Sequence, residues 1–271
     1  MYHFKPLNPD DVTARALILS VLNTIGTDQQ SIAELIHTGD VFGIDAKAMR
    51  VAATRLVKEG LLDSPQRGVY QRGQKAEGIT RHVRKWQNVS DAIGDWDGNW
   101  IINFSQHLGR TDRKKLRSAE RAYGLLGYQQ AEPGMWVRPD NLTEDLAGHR
   151  GRLIELGADA DTLTIATKAT ALPPETDWRE LWSVNDLQHS YQAAIEEMDK
   201  SLARLDQLSA PEAARETLLV GQAVIRAINL DPLLPKEFGV LETLLSMVEK
   251  MKVYNTAGRA AWKNYRSLRA N

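Results

Sequence analysis

The chain of 271 residues contains no cysteine. Disulfides, thiolate zinc sites and a cysteine nucleophile are excluded at once, and the expected setting is the reducing cytoplasm. No apolar run approaches the length of a membrane span, and the opening Met1–Pro6 segment lacks the apolar core of an export signal. No P-loop and no dinucleotide-binding glycine fingerprint is present. The six histidines, His3, His37, His82, His107, His149 and His189, do not stand at metal-ligand spacings. These gaps leave an enzyme little to work with, so no catalytic residue, metal or cofactor is expected.

What is there is an ordinary globular balance, 42% apolar and 25% charged, in a chain long enough for two domains or three small ones. The net charge of −1 hides an asymmetry. Residues 45–85 hold ten Lys/Arg against four Asp/Glu, a surplus of +6, whereas residues 140–216 hold seven against sixteen, or −9. A basic module on a chain with an acidic middle suits local contact with phosphates and solubility elsewhere.

The basic module has a readable architecture. Ala14, Leu17, Ile18, Val21, Leu22 and Ile25 recur at helical spacing and predict a first helix over about 13–25. Ser31-Ile-Ala-Glu34 has the form of a capping box and opens a short second helix that Gly39 stops. Asp45 is a good N-cap for a third helix, Ile44 and Met49 stand at staple spacing, and Gly60 is placed for a left-handed C-cap. The 3.6-residue period buries Met49, Ala53, Leu56 and Val57 and turns Lys47, Arg50, Val51, Thr54, Arg55 and Lys58 outward. A turn-rich hairpin over 61–72 follows, with Arg67, Tyr70 and Arg72 on it. Three helices and a hairpin in this order predict a winged helix-turn-helix, whose third helix enters a DNA major groove while the hairpin grips phosphates.

Behind it, Ile79, Val83, Trp86, Val89 and Ile93 suggest a connecting amphipathic helix. Strand candidates at 100–105, 128–132, 135–138 and 162–166 alternate with helix candidates at 111–123 and 142–156, the order of a ferredoxin-like sandwich. Pro173-Pro174 marks a boundary. Beyond it helices are predicted over 178–208, from Pro211 to the Asp231-Pro232 break, over 238–254 and over 257–268. The expected fold class is α+β and mostly helical. Its domains are a winged-helix DNA-binding domain over 1–75, a connecting helix over 76–95, a ferredoxin-like domain over 96–171 and a helical domain over 172–271.

Several stretches carry a resemblance to a known family. They are Arg15-Ala-Leu-Ile-Leu-Ser20, the run from Phe42 to Leu62, Trp96-Asp-Gly-Asn-Trp100, Arg113-Lys-Lys-Leu-Arg117, Leu126-Gly-Tyr128, Pro133-Gly-Met-Trp-Val-Arg-Pro139 and Asp231-Pro-Leu-Leu-Pro235. In their order and spacing they resemble the PaaX family, transcriptional repressors of phenylacetate-type aromatic catabolism. The resemblance implies a winged-helix domain, a middle domain shaped like the CRISPR-associated Cas2 proteins, and a helical carboxy-terminal domain. It also implies a homodimer on an inverted-repeat operator in double-stranded DNA, and in some relatives release by an aryl-acetyl coenzyme A thioester. Two departures stand out: Pro235 is followed by Lys-Glu-Phe-Gly instead of Leu-Pro and Trp-Gly, and the hairpin carries a single Arg67-Gly68.

The candidate DNA-binding residues are therefore Lys47, Arg50, Val51, Thr54, Arg55, Lys58, Arg67, Tyr70 and Arg72. Arg50 and Lys47 are placed for base edges, and Arg55 and Lys58 for phosphates, with pairing of Arg55 to an acid as the alternative. Arg110, Arg113, Lys114, Lys115, Arg117 and Arg121 form a second basic cluster. It suits flanking DNA, the phosphates of a coenzyme A-type effector, or salt bridges to the acidic middle. Trp178, Trp182 and Trp262 with Tyr191 are candidates for lining an effector pocket or for core packing, and Arg226 for pairing with a ligand anion or with Asp231. The candidate effector residues are thus Arg113, Arg117, Trp182, Tyr191 and Arg226. A Cas2-like nuclease would need an acid at the end of the first middle-domain strand, where Asn103-Phe-Ser-Gln106 stands. A protein-interaction scaffold is the other alternative.

Overall fold

A computed structural model describes residues 4–24, 29–76, 84–108, 112–168 and 176–268. Contacts divide the chain into two compact units. The amino-terminal unit comprises Lys5–Gln87, Ala194–Arg226 and Glu249–Asn271, and the central unit comprises Met1–Phe4, Asn88–Ala193 and Ala227–Val248.

The amino-terminal unit begins with α1 (Ala14–Thr24), β1 (Gln29–Ser31), α2 (Ile32–Asp40) and α3 (Ala46–Lys58). Local sequence sets these boundaries. Ser31 Oγ accepts from the Glu34 amide at 3.2 Å while Glu34 Oε2 accepts from the Ser31 amide at 2.7 Å, so the capping box is complete. Asp45 Oδ1 accepts from the Ala48 amide at 2.8 Å and starts α3. Gly60 ends it at φ +74°, a left-handed conformation that strains any residue with a Cβ. The hairpin β2 (Leu62–Gln66) and β3 (Val69–Arg72) follows, and β1 joins it antiparallel in the order β1-β3-β2. β1 was not expected.

Three long helices supply residues to both units: α7 (Val184–Arg204), α8 (Ala210–Asn229) and α9 (Leu241–Ser267). In the amino-terminal unit they are part of the core. Leu17, Ile18, Leu35, Met49, Ala53 and Leu56 close around Ala214 and Leu218 of α8 and Trp262 and Tyr265 of α9. Polar contacts fix the same seam. Arg215 Nε donates to the Val41 carbonyl at 2.8 Å, Arg266 Nη2 to Gln30 Oε1 at 2.8 Å, and the Tyr265 hydroxyl to the His37 carbonyl at 2.9 Å. Residues between Leu17 and Ala76 thus share one hydrophobic interior with side chains of α8 and α9 far along the sequence, a closure whose entropic cost grows only slowly with the length of chain between.

The central unit carries α4 (Val89–Ala92), β4 (Trp100–Phe104), α5 (Arg113–Leu125), β5 (Gln129–Glu132), β6 (Met135–Pro139), α6 (Leu146–Glu155) and β7 (Leu163–Thr167). The sheet order is β5-β6-β4-β7, with every neighbouring pair antiparallel. This is the strand–helix–strand–strand–helix–strand order read from the sequence. Ile101 of β4, Ala119, Ala122 and Tyr123 of α5, and Leu153 of α6 make its core.

Three expectations change. The helix predicted over 178–208 is a 3-10 turn (Trp178–Leu181), then α7, then a second turn (Leu205–Gln207). The two helices predicted over 238–254 and 257–268 are the single α9. No proline interrupts it, and the Thr256 hydroxyl donates to the Lys252 carbonyl at 3.1 Å within the helix. Of the connecting helix, Ile79 and Val83 lie outside the described residues, while a 3-10 turn (Arg84–Asn88) leads into α4 with Trp86 and Val89 buried. Among the described residues no helix is long and apolar enough to cross a membrane.

Candidate nucleic-acid interface

Helix α3 presents two unlike faces. Met49, Ala53 and Leu56 are fully buried, and Val57 packs at their edge. On the other side Lys47, Arg50, Val51, Thr54, Arg55 and Lys58 are all exposed. Val51 keeps 43% of its surface in solvent, which is a position for an apolar contact rather than for the core. The Thr54 hydroxyl donates to the Arg50 carbonyl at 2.9 Å, leaving its methyl as the outward group.

The cations of this face are unspent. Among the described residues none of Lys47, Arg50, Arg55, Lys58 or Arg67 has an ion-pair partner. The alternative pairing of Arg55 with an acid is therefore not what the structure shows. The nearby acid Glu59 is taken by Arg15, at 2.5 Å. An exposed helix face with several unpaired cations, an outward methyl and a valine offers point charges for phosphates. It also offers a bidentate donor and apolar contacts for base edges.

The hairpin contributes less than expected. Arg67 is exposed at the turn beside Gly68. Tyr70 is half-buried, packs on the core of its unit and pairs in register with Gln30 of β1, so its ring serves the fold first. Arg72 is half-buried as well and has interaction partners. The extra strand β1 pairs with β3 through Val69, Tyr70 and Gln71, along the edge that a two-stranded hairpin would leave free.

Of the residues proposed to hold an effector, Arg113, Arg117, Trp182 and Tyr191 belong to the central unit and Arg226 to the amino-terminal unit. Arg113 and Arg117 lie exposed on α5. Trp182, 2% exposed, stacks 6.0 Å from Trp100 and donates its indole N–H to the Gly127 carbonyl at 3.2 Å. Tyr191, 3% exposed, donates to Asp231 Oδ2 at 2.5 Å. Both are engaged in packing and internal hydrogen bonds. Trp262, the third aromatic, belongs to the core of the amino-terminal unit, edge-on to Tyr265. Arg226 is exposed, and the carboxylate of Asp231 is engaged by Tyr191 and by the Leu233 amide at 2.8 Å instead.

Sequence reasoning missed what these motifs do. In the central unit, scattered pieces meet in one buried polar cluster. Arg138, 1% exposed, donates to the Leu126 carbonyl, to the Pro139 carbonyl at 3.0 Å and to Asn141 Oδ1 at 3.1 Å, over the ring of Tyr128. Asn141 Nδ2 in turn donates to the carbonyl of Leu233, which sits at φ +52°. Gly127 lies so close to Pro232 that a Cβ would come within 2.6 Å of its Cα. Among the described residues no carboxylate pairs directly with Arg138, and burial pulls its guanidinium down to about 10. Alongside, the Tyr128 hydroxyl meets His149 Nε2 at 2.7 Å, and His149 Nδ1 meets Glu144 Oε1 at 2.6 Å. Burial lowers the His149 pKa against the pull of Glu144, and Glu144 falls below its ordinary value through His149 and Arg152 despite its own burial. Asn103, where a nuclease would need an acid, is fully buried and accepts from Thr164 Oγ1 at 2.6 Å.

Comparison with known proteins agrees with the resemblance in the sequence. The family model described as PaaX-like protein matches residues 13–74, the stretch that forms α1 to β3. Over that stretch the chain is similar to the PaaX-like family, which suggests a transcription regulator that binds DNA. Among solved structures, the uncharacterized protein Rv0674 from Mycobacterium tuberculosis is similar in fold. It has a TM-score of 0.66 and 21% identity, over 94% of this chain and 99% of that one. No curated protein matches.

Proposed function

We propose that the chain is a sequence-specific DNA-binding transcription regulator of winged helix-turn-helix type, with α3 as the helix that enters the major groove. The unpaired exposed cations of α3, on a helix whose opposite face anchors a shared core, carry this reading. Arg50 and Lys47 stand in its first half, from which such helices reach base edges. Val51 and the Thr54 methyl supply apolar contact to thymine, Arg55 and Lys58 meet phosphates, and Arg67 at the turn holds the flanking backbone.

The proposal extends, on the resemblance, to a homodimeric repressor on an inverted repeat that an acyl-coenzyme A thioester releases. The central unit is then a ferredoxin-like domain. Fluorescence anisotropy on duplexes from the promoter region of its own locus tests the core of the proposal. A local palindrome should bind in preference to mixed sequence, with affinity that falls as salt rises. Failure to bind any such palindrome at low salt would overturn it.

A further inference from the structure

Helix α5 carries like charges at spacings that disfavour a helix. Its first turn holds Arg113, Lys114 and Lys115, against which the N-cap Asp112 sets one carboxylate, accepting from the Lys115 amide at 3.1 Å. Arg113, Arg117 and Arg121 follow at intervals of four, which sets like charges above one another in two successive repulsive pairs. One cation is accounted for: Lys115 pairs with Asp159 at 3.1 Å, a carboxylate that His107 also approaches at 3.6 Å. The other four, Arg113, Lys114, Arg117 and Arg121, are exposed and have no ion-pair partner among the described residues. By the helical period they share a stripe about 100° wide and about 12 Å long, with Glu120 at its margin. The opposite face, Ala119, Ala122 and Tyr123, is buried in the core of the unit.

We infer that this stripe is a second nucleic-acid contact, a sequence-independent hold on the phosphate backbone of duplex DNA by the central unit. Like-charge pairs among cations that have no ion-pair partner among the described residues mark a surface shaped for an external anion. Three of the four cations are arginines, whose planar forks suit phosphate oxygens. The stripe contains no aromatic or large aliphatic side chain to anchor a protein partner, and the apolar face of α5 is already used, so nothing remains to insert into a lipid surface. The stripe holds cations alone, without the neighbouring apolar contacts that Val51 and Thr54 add on α3, which suits it to phosphates.

This inference adds to the proposed role of α3 and is tested apart from it, in the full-length chain. The variants are R113Q/R117Q/R121Q, K47A/R50A/K58A and the two combined, each measured on the cognate duplex, on a mixed-sequence duplex and on polyglutamate. Glutamine keeps helix propensity and removes the like-charge pairs, so the α5 variant should melt no lower than the wild type. It should bind both duplexes more weakly with the ratio between them unchanged, and the slope of log affinity against log salt should flatten by about 2.7. The α3 variant should lose preference for the cognate duplex yet keep salt-dependent binding to mixed sequence, which the combined variant abolishes. An unchanged salt slope in the α5 variant overturns the inference. So does an α3 variant that no longer binds mixed duplex at low salt, a result that leaves the proposed function standing. Loss of polyglutamate binding without loss of DNA binding assigns the stripe to an acidic protein and also overturns it. An α3 variant that still prefers the cognate duplex sinks the proposed function instead, while the α5 result is read independently.

Discussion

The two units treat charge in opposite ways. The amino-terminal unit turns Lys47, Arg50, Arg55, Lys58 and Arg67 out to solvent and gives them no partner among the described residues. The central unit takes Arg138 and Asp231 into its interior and satisfies both. A cation that is held by three acceptors in the core can do nothing else, because each donor is spent and moving it would orphan buried carbonyls. A cation left unpaired on a rigid helix costs little there and is available to a ligand. Motifs that catch the eye in a sequence therefore divide into two kinds. Leu126-Gly127-Tyr128, Arg138-Pro139 and Asp231–Pro235 hold the chain together, whereas the outward positions of α3 are free to bind.

That division can be broken most easily at Arg138. Replacing it with alanine leaves the Leu126 carbonyl and Asn141 without their donors in a closed interior, and should cost about 3 kcal/mol or more of unfolding free energy. Arg50→Ala in the same denaturant titration should change stability by less than about 0.5 kcal/mol. Similar losses from both would erase the distinction between a structural and a binding arginine. The next largest effect is a pH dependence. Burial pushes Asp231 up to about 6, against the opposing pull of its bonds from Tyr191 and the Leu233 amide. Its unfolded value is about 3.9, so between about pH 4 and pH 6 the folded state holds the extra proton and stability falls as pH rises. The contribution is fully present below about pH 4 and is lost through pH 6, amounting to about 3 kcal/mol. Urea titrations across that window should show this slope in the wild type and its disappearance in Asp231→Asn. A difference between the two proteins that stays constant with pH would mean that Asp231 is ionised throughout.

How much of this was legible in the sequence depended on distance along the chain. The caps at Ser31 and Asp45 and the turn at Gly60 are local, and each marks its helix boundary in the structure as it does on paper. The outward face of α3 follows from helical periodicity and the capping signals, and all six of its expected residues are exposed. The three-residue β1, which pairs with Tyr70, is too short for any periodic signal. The sharing of Ala214, Leu218, Trp262 and Tyr265 with the first helices has no local trace, nor does the bond from Asn141 to Leu233, 92 positions away. Trp182 and Tyr191 were read as pocket candidates from their type, but type does not reveal that an indole N–H already has a carbonyl and a phenol a carboxylate.

The smaller effects sharpen the comparison within α3 itself. Arg50→Ala should weaken the cognate duplex by about 1–3 kcal/mol and relax the preference at one base pair, because a bidentate donor to guanine is lost. Lys58→Ala, at the far end of the same face, should weaken cognate and mixed sequences alike and flatten the salt slope by about 0.9, the signature of one lost phosphate. Measured on a panel of single-base operator variants at several salt concentrations, the two substitutions should separate: one changes the order of the panel, the other only its offset. If Arg50→Ala shifts every duplex equally, Arg50 is a second phosphate contact. Base reading would then pass to Lys47, Val51 and Thr54, whose shorter reach demands a deeper seat for α3 in the groove.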